Sequence, residues 1–131
     1  MISISNLKLV SEARLKDARV LRTSKRLDGA MYMCGYAVEI ALKARACNTL
    51  GLSAFPMTRK EFQGHEQLRT HDLEALLRIS GQEAHIKQTC FPAWNAIAIW
   101  KPEARYARIG TASPSDADAM INGATLLLAS L

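Results

Sequence analysis

MYMCGYAVEIALKARA, residues 31–46, has the composition of a protein core, yet it carries Glu39 and Lys43 four residues apart and two tyrosines, Tyr32 and Tyr36. The use made of this segment decides the fold. At 100° per residue, Leu27, Ala30, Met31, Cys34, Ala37, Val38, Ala41 and Leu42 share one broad face, and Met33, Ile40 and Cys47 cover a second. A helix that is apolar on two faces has neighbours on both, so it is the central helix of a bundle. A narrow stripe of Asp28, Tyr32, Tyr36, Glu39 and Lys43 remains. As an exposed i,i+4 pair, Glu39 and Lys43 would contribute only about 0.3–0.5 kcal/mol. A half-buried Glu39 needs a cation, because an unpaired buried carboxylate is costly. The flanking tyrosines favour the half-buried arrangement. The expected cation is Arg105, with Arg14 as second choice, since the pattern directs both charges inward.

Outward from this helix, the chain reads as helical throughout, with no strand-like alternation of any length. A first helix is expected over Asn6–Arg22 after the cap candidate Ser5, with Leu7, Val10, Ala18 and Leu21 as its apolar stripe and Asp17 as partner for Arg14. The second starts after Ser24 and stops near Leu50, before Gly51. Residues 51–69 form a long connection with about one helical turn. A short third helix begins at Thr70 or His71, with Gly81 after its end. The fourth covers Gln82–Trp100, either kinked at Pro92 or restarted with Pro92 in the first turn of a second piece. After the connection KPEARYARIGTAS, the last helix opens at the cap Ser113, with Pro114 first in the helix and Asp116 completing a capping box. The expectation is an all-α, antiparallel up-and-down bundle of four to five helices, and 131 residues make one domain.

Composition removes several classes. The longest charge-free runs, among them Gln88–Trp100 and Ala119–Leu131, are 13 residues each, too short to span a bilayer. No basic segment followed by an apolar block opens the sequence, so a cytoplasmic location and no membrane association are expected. Cys34, Cys47 and Cys90 form no CxxC pair, which argues against disulfides and against a zinc site; Cys34 and Cys47 are expected in the core. Walker, dinucleotide and metal-ligand signatures are absent, so neither a cofactor nor a metal is expected. The first 26 residues hold seven bases against two acids and account for the whole net charge of +5. Such an excess can meet phosphate, or it can simply be a solvated helix face.

Three segments resemble the HEPN domain family: GYAVEIALKA on the second helix, HDLEALL opening the third, and WKPEARY after the fourth. Gly35, Tyr36, Glu39, Leu42 and Lys43 match the first family pattern. His71, Asp72 and Leu73 match the second, and Arg105 with Tyr106 the third. The resemblance covers roughly residues 25–108 and implies a bundle of about five helices with an RNA- or nucleotide-related role. Family members include metal-independent ribonucleases and toxins, and others pair with a small nucleotidyltransferase as toxin and antitoxin. The polar groove implied here is Tyr32, Tyr36, Glu39, Lys43, His71, Asp72, Arg105 and Tyr106. Each has an ordinary alternative: His71 and Asp72 as a helix cap, and Arg105 and Tyr106 as a loop pinned to the core.

Ribonuclease members use an Arg, four to six residues, then a His, with a base for the ribose 2′-OH and a cation for the developing phosphorane charge. Arg78–His85 and, more weakly, Arg59–His65 have that spacing. With this composition about 0.7 such pairs arise by chance. Arg78–His85 also straddles Gly81, between two helices, and Arg59–His65 lies in the long connection. The expected function is therefore a HEPN-type module acting by interaction, with metal-independent RNA cleavage as the alternative. A homodimer is expected from the last helix: Ala119–Leu131 carries no charge, and outside its main stripe (Ala117, Met120, Ile121, Ala124, Leu128, Leu131) it offers Ala119, Asn122, Gly123, Leu126, Ala129 and Ser130.

Overall fold

The computed structural model describes all residues, 1–131. Six α-helices carry the architecture: α1 (Ile4–Thr23), α2 (Leu27–Thr49), α3 (Leu73–Ile79), α4 (Glu83–Thr89), α5 (Phe91–Ala98) and α6 (Pro114–Ser130). The fold is an all-α helical bundle with six helices instead of four to five. Two short 3-10 turns, Glu66–Leu68 and Pro102–Tyr106, sit in the connections.

The extra helix comes from Pro92. The expected fourth helix is two pieces, broken at Cys90 (φ −131°, ψ 30°), with Pro92 in the first turn of α5. Pro92 has no N–H to donate, and its ring would collide with the carbonyl four residues back, so the chain restarts there. The expectation of no strand also needs correction. Ile2–Ser3 (β1) pairs antiparallel with Ala54–Phe55 (β2), Ile2 opposite Phe55 and Ser3 opposite Ala54. Two residues per strand are too few for alternation to register in the sequence.

Helix starts differ in detail. Ser3, not Ser5, caps α1 by accepting from the Asn6 N–H at 3.2 Å. The start of α2 has no side-chain cap; Ser24 instead belongs to the turn between α1 and α2, where Lys25 takes a left-handed φ of 60°. Asp72, not Thr70 or His71, caps α3 by accepting from the Ala75 N–H at 3.2 Å. The capping box of α6 is complete: Ser113 Oγ accepts from the Asp116 N–H, and Asp116 accepts from the Ser113 N–H.

Helix α2 is central, packing on α1, α3, α5 and α6. Its buried residues include Ala30, Cys34, Gly35, Ala37, Val38, Leu42, Ala44 and Cys47. The main core joins Cys34, Ala37, Val38 and Leu42 to Leu15 and Ala18 of α1, Leu73, Leu76 and Leu77 of α3, Trp94 and Ile97 of α5, and Met120, Ala124 and Leu127 of α6. A smaller core under the β1–β2 pair gathers Leu7, Ala46, Cys47, Phe55 and Leu68. On α1 the buried stripe is Leu7, Ser11, Leu15 and Ala18, while Val10 is exposed. Ser11 enters that stripe because its hydroxyl donates to the Ala37 carbonyl at 2.7 Å, satisfying itself while joining α1 to α2.

Two glycines permit close approaches. A Cβ on Gly35 would lie 2.1 Å from the Trp100 ring, and one on Gly123 would lie 3.0 Å from the Ala93 carbonyl oxygen. The first seats Trp100 on α2, and the second draws α5 onto α6. No helix is long and apolar enough to cross a membrane.

Candidate functional site

The polar stripe of α2 becomes a seam running along one side of the helix. At its C-terminal end Glu39 is 3% exposed, and two bases reach it. Lys43 Nζ, 13% exposed, donates to Oε1 at 2.6 Å from one turn on. His71 Nδ1 lies 2.9 and 3.1 Å from the two carboxylate oxygens. A carboxylate can only accept, so the Nδ1 of His71 carries the hydrogen. The imidazole itself is 58% exposed, and its Nε2 makes no hydrogen bond within the chain. Lys43 also lies over the Phe55 ring, 5.5 Å from its centroid, tying the ion pair to the smaller core.

The burial of Glu39 follows the expectation; the identity of its partners does not. Arg105 stands beside Tyr32, and Tyr32 is seven residues from Glu39, about 10 Å along the helix axis. Arg14 is turned toward Asp17, 3.1 Å away on its own helix. The connection before α3 brings in His71 instead.

At the N-terminal end of the seam the chemistry is aromatic. Tyr32 Oη donates to Tyr36 Oη at 3.2 Å, and the rings meet edge to face at 4.9 Å. Trp100 packs against both, with centroids 6.2 Å from Tyr32 and 5.1 Å from Tyr36. The hydrogen bond from Tyr32, then burial, then the nearby negative charge of Glu39 push the Tyr36 hydroxyl up to about 12. Tyr36 is therefore a neutral hydrogen-bonding group at physiological pH, not a base. Arg105 lies over the Tyr106 ring at 4.9 Å, and the Tyr106 and Tyr32 hydroxyls raise its pKa. Both Arg105 and Tyr106 are exposed.

Tyr36, Glu39, Lys43, His71 and Arg105 thus lie along one seam, drawn from three separated segments. Asp72 is the exception, spent on capping α3. The proposed catalytic pairs are not joined. Arg78 and His85 are both exposed, one late in α3 and the other on α4, and no hydrogen bond or ion pair links them within the chain. Arg59 and His65 likewise make no such contact; both lie between β2 and the turn at Glu66. No group of three or more His, Cys, Asp or Glu side chains is placed to hold a metal ion.

A second polar group, unanticipated from the sequence, ties α3, α4 and α5 together. Trp94 Nε1 donates to Glu74 at 2.8 Å, and Lys87 Nζ reaches the other oxygen at 3.1 Å. These contacts, Trp94 first, hold the Glu74 carboxyl below its usual range. Trp100 was also missed as a site residue. The signal that could have found it is Gly35: a glycine inside a helical pattern costs about 1 kcal/mol relative to Ala and points to a close neighbour.

Much of the basic excess of the first 26 residues is spent internally. Arg22 pairs with Asp118 at 2.7 Å, and Arg19 donates to Thr125 at 2.9 Å, fastening α1 to α6. Lys8, Lys16, Lys25 and Arg26 remain exposed. On α6 the charge-free surface keeps Ala119, Asn122, Leu126 and Ala129 in solvent, whereas Gly123 is buried under α5.

No protein-family model, curated protein or solved structure matches the chain.

Proposed function

We propose that this chain is a HEPN-type helical module that forms a homodimer in the cytoplasm. In this reading it works by engaging RNA, a nucleotide or a small nucleotidyltransferase, as in toxin–antitoxin pairs, and not by cutting RNA. The observation that carries it is the convergence along α2. Segments that resemble the family separately, GYAVEIALKA, HDLEALL and WKPEARY, meet on one side of one helix through Glu39–His71 and Tyr32–Arg105. The dimer rests on the exposed, charge-free side of α6 with Leu126 at its centre.

Against cleavage stands the lack of any hydrogen bond or ion pair joining Arg78 to His85 or Arg59 to His65 within the chain. One observation favours the ribonuclease alternative. His71 is held through Nδ1 by a buried carboxylate with Nε2 unpartnered, an arrangement that suits a general base. The test is cleavage of single-stranded RNA in excess EDTA by the wild type and by His85→Ala, His65→Ala and His71→Ala. No cleavage by any of the four supports an interaction module. Chelator-resistant cleavage that disappears in one variant overturns it and identifies the base. Light scattering at tens of micromolar tests the dimer, and a monomeric mass overturns that part.

A further inference from the structure

An open groove of about 830 Å³ runs between the first turns of α2, the end of α5, the connection 101–112 and the start of α6. That volume lies within the range of small-molecule sites, about 300–1,000 Å³. Met31, Ile99, Trp100 and Met120 are among the residues that make its lining mainly apolar. Ile99, 72% exposed, and Ile109, 94% exposed, extend that apolar surface into solvent. None of the proposed catalytic residues borders it; of the polar side chains of the seam, Asp28, Tyr32 and Arg105 do.

The polar groups of the lining are unevenly satisfied. Asp28 accepts from the Gly110 N–H at 2.7 Å and the Ala112 N–H at 2.9 Å, so its oxygens hold the connection in place. Asp116 is committed to the capping box of α6. Only Glu103 is left as an acid without such a role. The donors are in the opposite condition. Lys101 and Arg105 form no ion pair, and the Nε1–H of Trp100 is buried with no hydrogen-bond partner. A buried unpaired donor costs about 1–3 kcal/mol, so the Trp100 indole is a strained element of the groove floor. Arg105 is also held in place, lying over Tyr106 and beside Tyr32.

We propose that this groove binds an amphipathic carboxylic acid, its apolar body on the Met31–Trp100–Met120 floor and its carboxylate on Arg105. An acceptor is what the lining lacks, a guanidinium takes a carboxylate through two parallel N–H bonds, and the floor supplies the apolar contact. A cationic amphiphile would face two unpaired cations, and a neutral one would leave the donors of Arg105 and Lys101 without a charged acceptor.

The chain has two tryptophans, so its indole N–H signals report the site directly. Labelled full-length protein is titrated with sodium decanoate below its micelle-forming concentration, and in parallel with decanol and decylammonium; Trp94→Phe assigns the two signals. Decanoate is expected to shift the Trp100 signal saturably, leave the Trp94 signal in place, and bind about tenfold more tightly than decanol. Arg105→Gln is expected to erase that preference. Ala119→Phe, which fills the groove from an exposed position, is expected to abolish binding. The proposal is overturned if decanoate moves neither signal, if decylammonium binds as well as decanoate, or if Ala119→Phe binds like the wild type. It is also overturned if decanoate has no effect while Ala119→Phe converts a dimer to a monomer, because the groove then belongs to a second copy of the chain.

Discussion

The C-terminal half of α2, from Glu39 to Cys47, is largely covered by the rest of the chain, whereas the N-terminal half, from Asp28 to Tyr36, borders an open groove. In the closed half the one buried acid meets Lys43 and His71, and the apolar residues meet Phe55 and Leu68. In the open half the aromatic residues stack on one another and on Trp100, but a buried indole N–H is left without an acceptor and Arg105 without an ion pair. The two halves share a helix and a helical period. They differ in what the rest of the chain brings to them: the segment 54–72 seals one end, and the connection 101–112 only walls the other. A closed polar site braces the fold, and an open one is available to a ligand.

The largest expected effect comes from unsealing the closed half. Glu39→Ala leaves Lys43 and His71 facing each other without their shared acid and is expected to cost about 3 kcal/mol in urea denaturation. A loss under about 0.5 kcal/mol would mean that the ion pair braces nothing. The open half breaks by overfilling instead. Gly35→Ala drives a methyl group into the Trp100 ring and is expected to cost about 2 kcal/mol, with a displaced Trp100 indole signal. Unchanged stability with an unmoved indole would show that Trp100 is not seated on Gly35.

A smaller effect sharpens the contrast through pH. The Gly110 and then the Ala112 N–H groups hold Asp28 below the usual carboxylate range. A carboxyl depressed in this way adds stability above its unfolded value, about 3.9, and loses it as pH falls through the folded value. The protection of the Gly110 and Ala112 amides, measured relative to their intrinsic exchange rates at each pH, is therefore expected to fall on acidification below about pH 4, with Asp28→Asn already poorly protected at neutral pH. Protection that is identical in the two proteins at pH 7 would contradict this.

These features were legible in the sequence to different depths. The central helix, the stop at Gly51, the complete cap at Ser113 and Asp116, and the burial of Glu39 rest on local pattern, and local pattern showed them. The partner of Glu39 did not follow, because a wheel shows which way a charge points and not which connection crosses it. The β1–β2 pair was invisible at two residues per strand. Of the two outcomes left open at Pro92, the restart is the one adopted. The groove could not be read at all: it needs four separate segments, and its boundary is a connection without periodicity.

The brace itself is tested most directly by a double-mutant cycle on Glu39 and His71, with unfolding free energies of the wild type, Glu39→Ala, His71→Ala and the double variant. Two side chains joined by a half-buried hydrogen bond are expected to be coupled by about 1 kcal/mol, so that the double variant is less destabilised than the sum of the singles. Strict additivity, with coupling under about 0.3 kcal/mol, would mean that the GYAVEIALKA and HDLEALL segments lie side by side without holding each other, and would contradict the account.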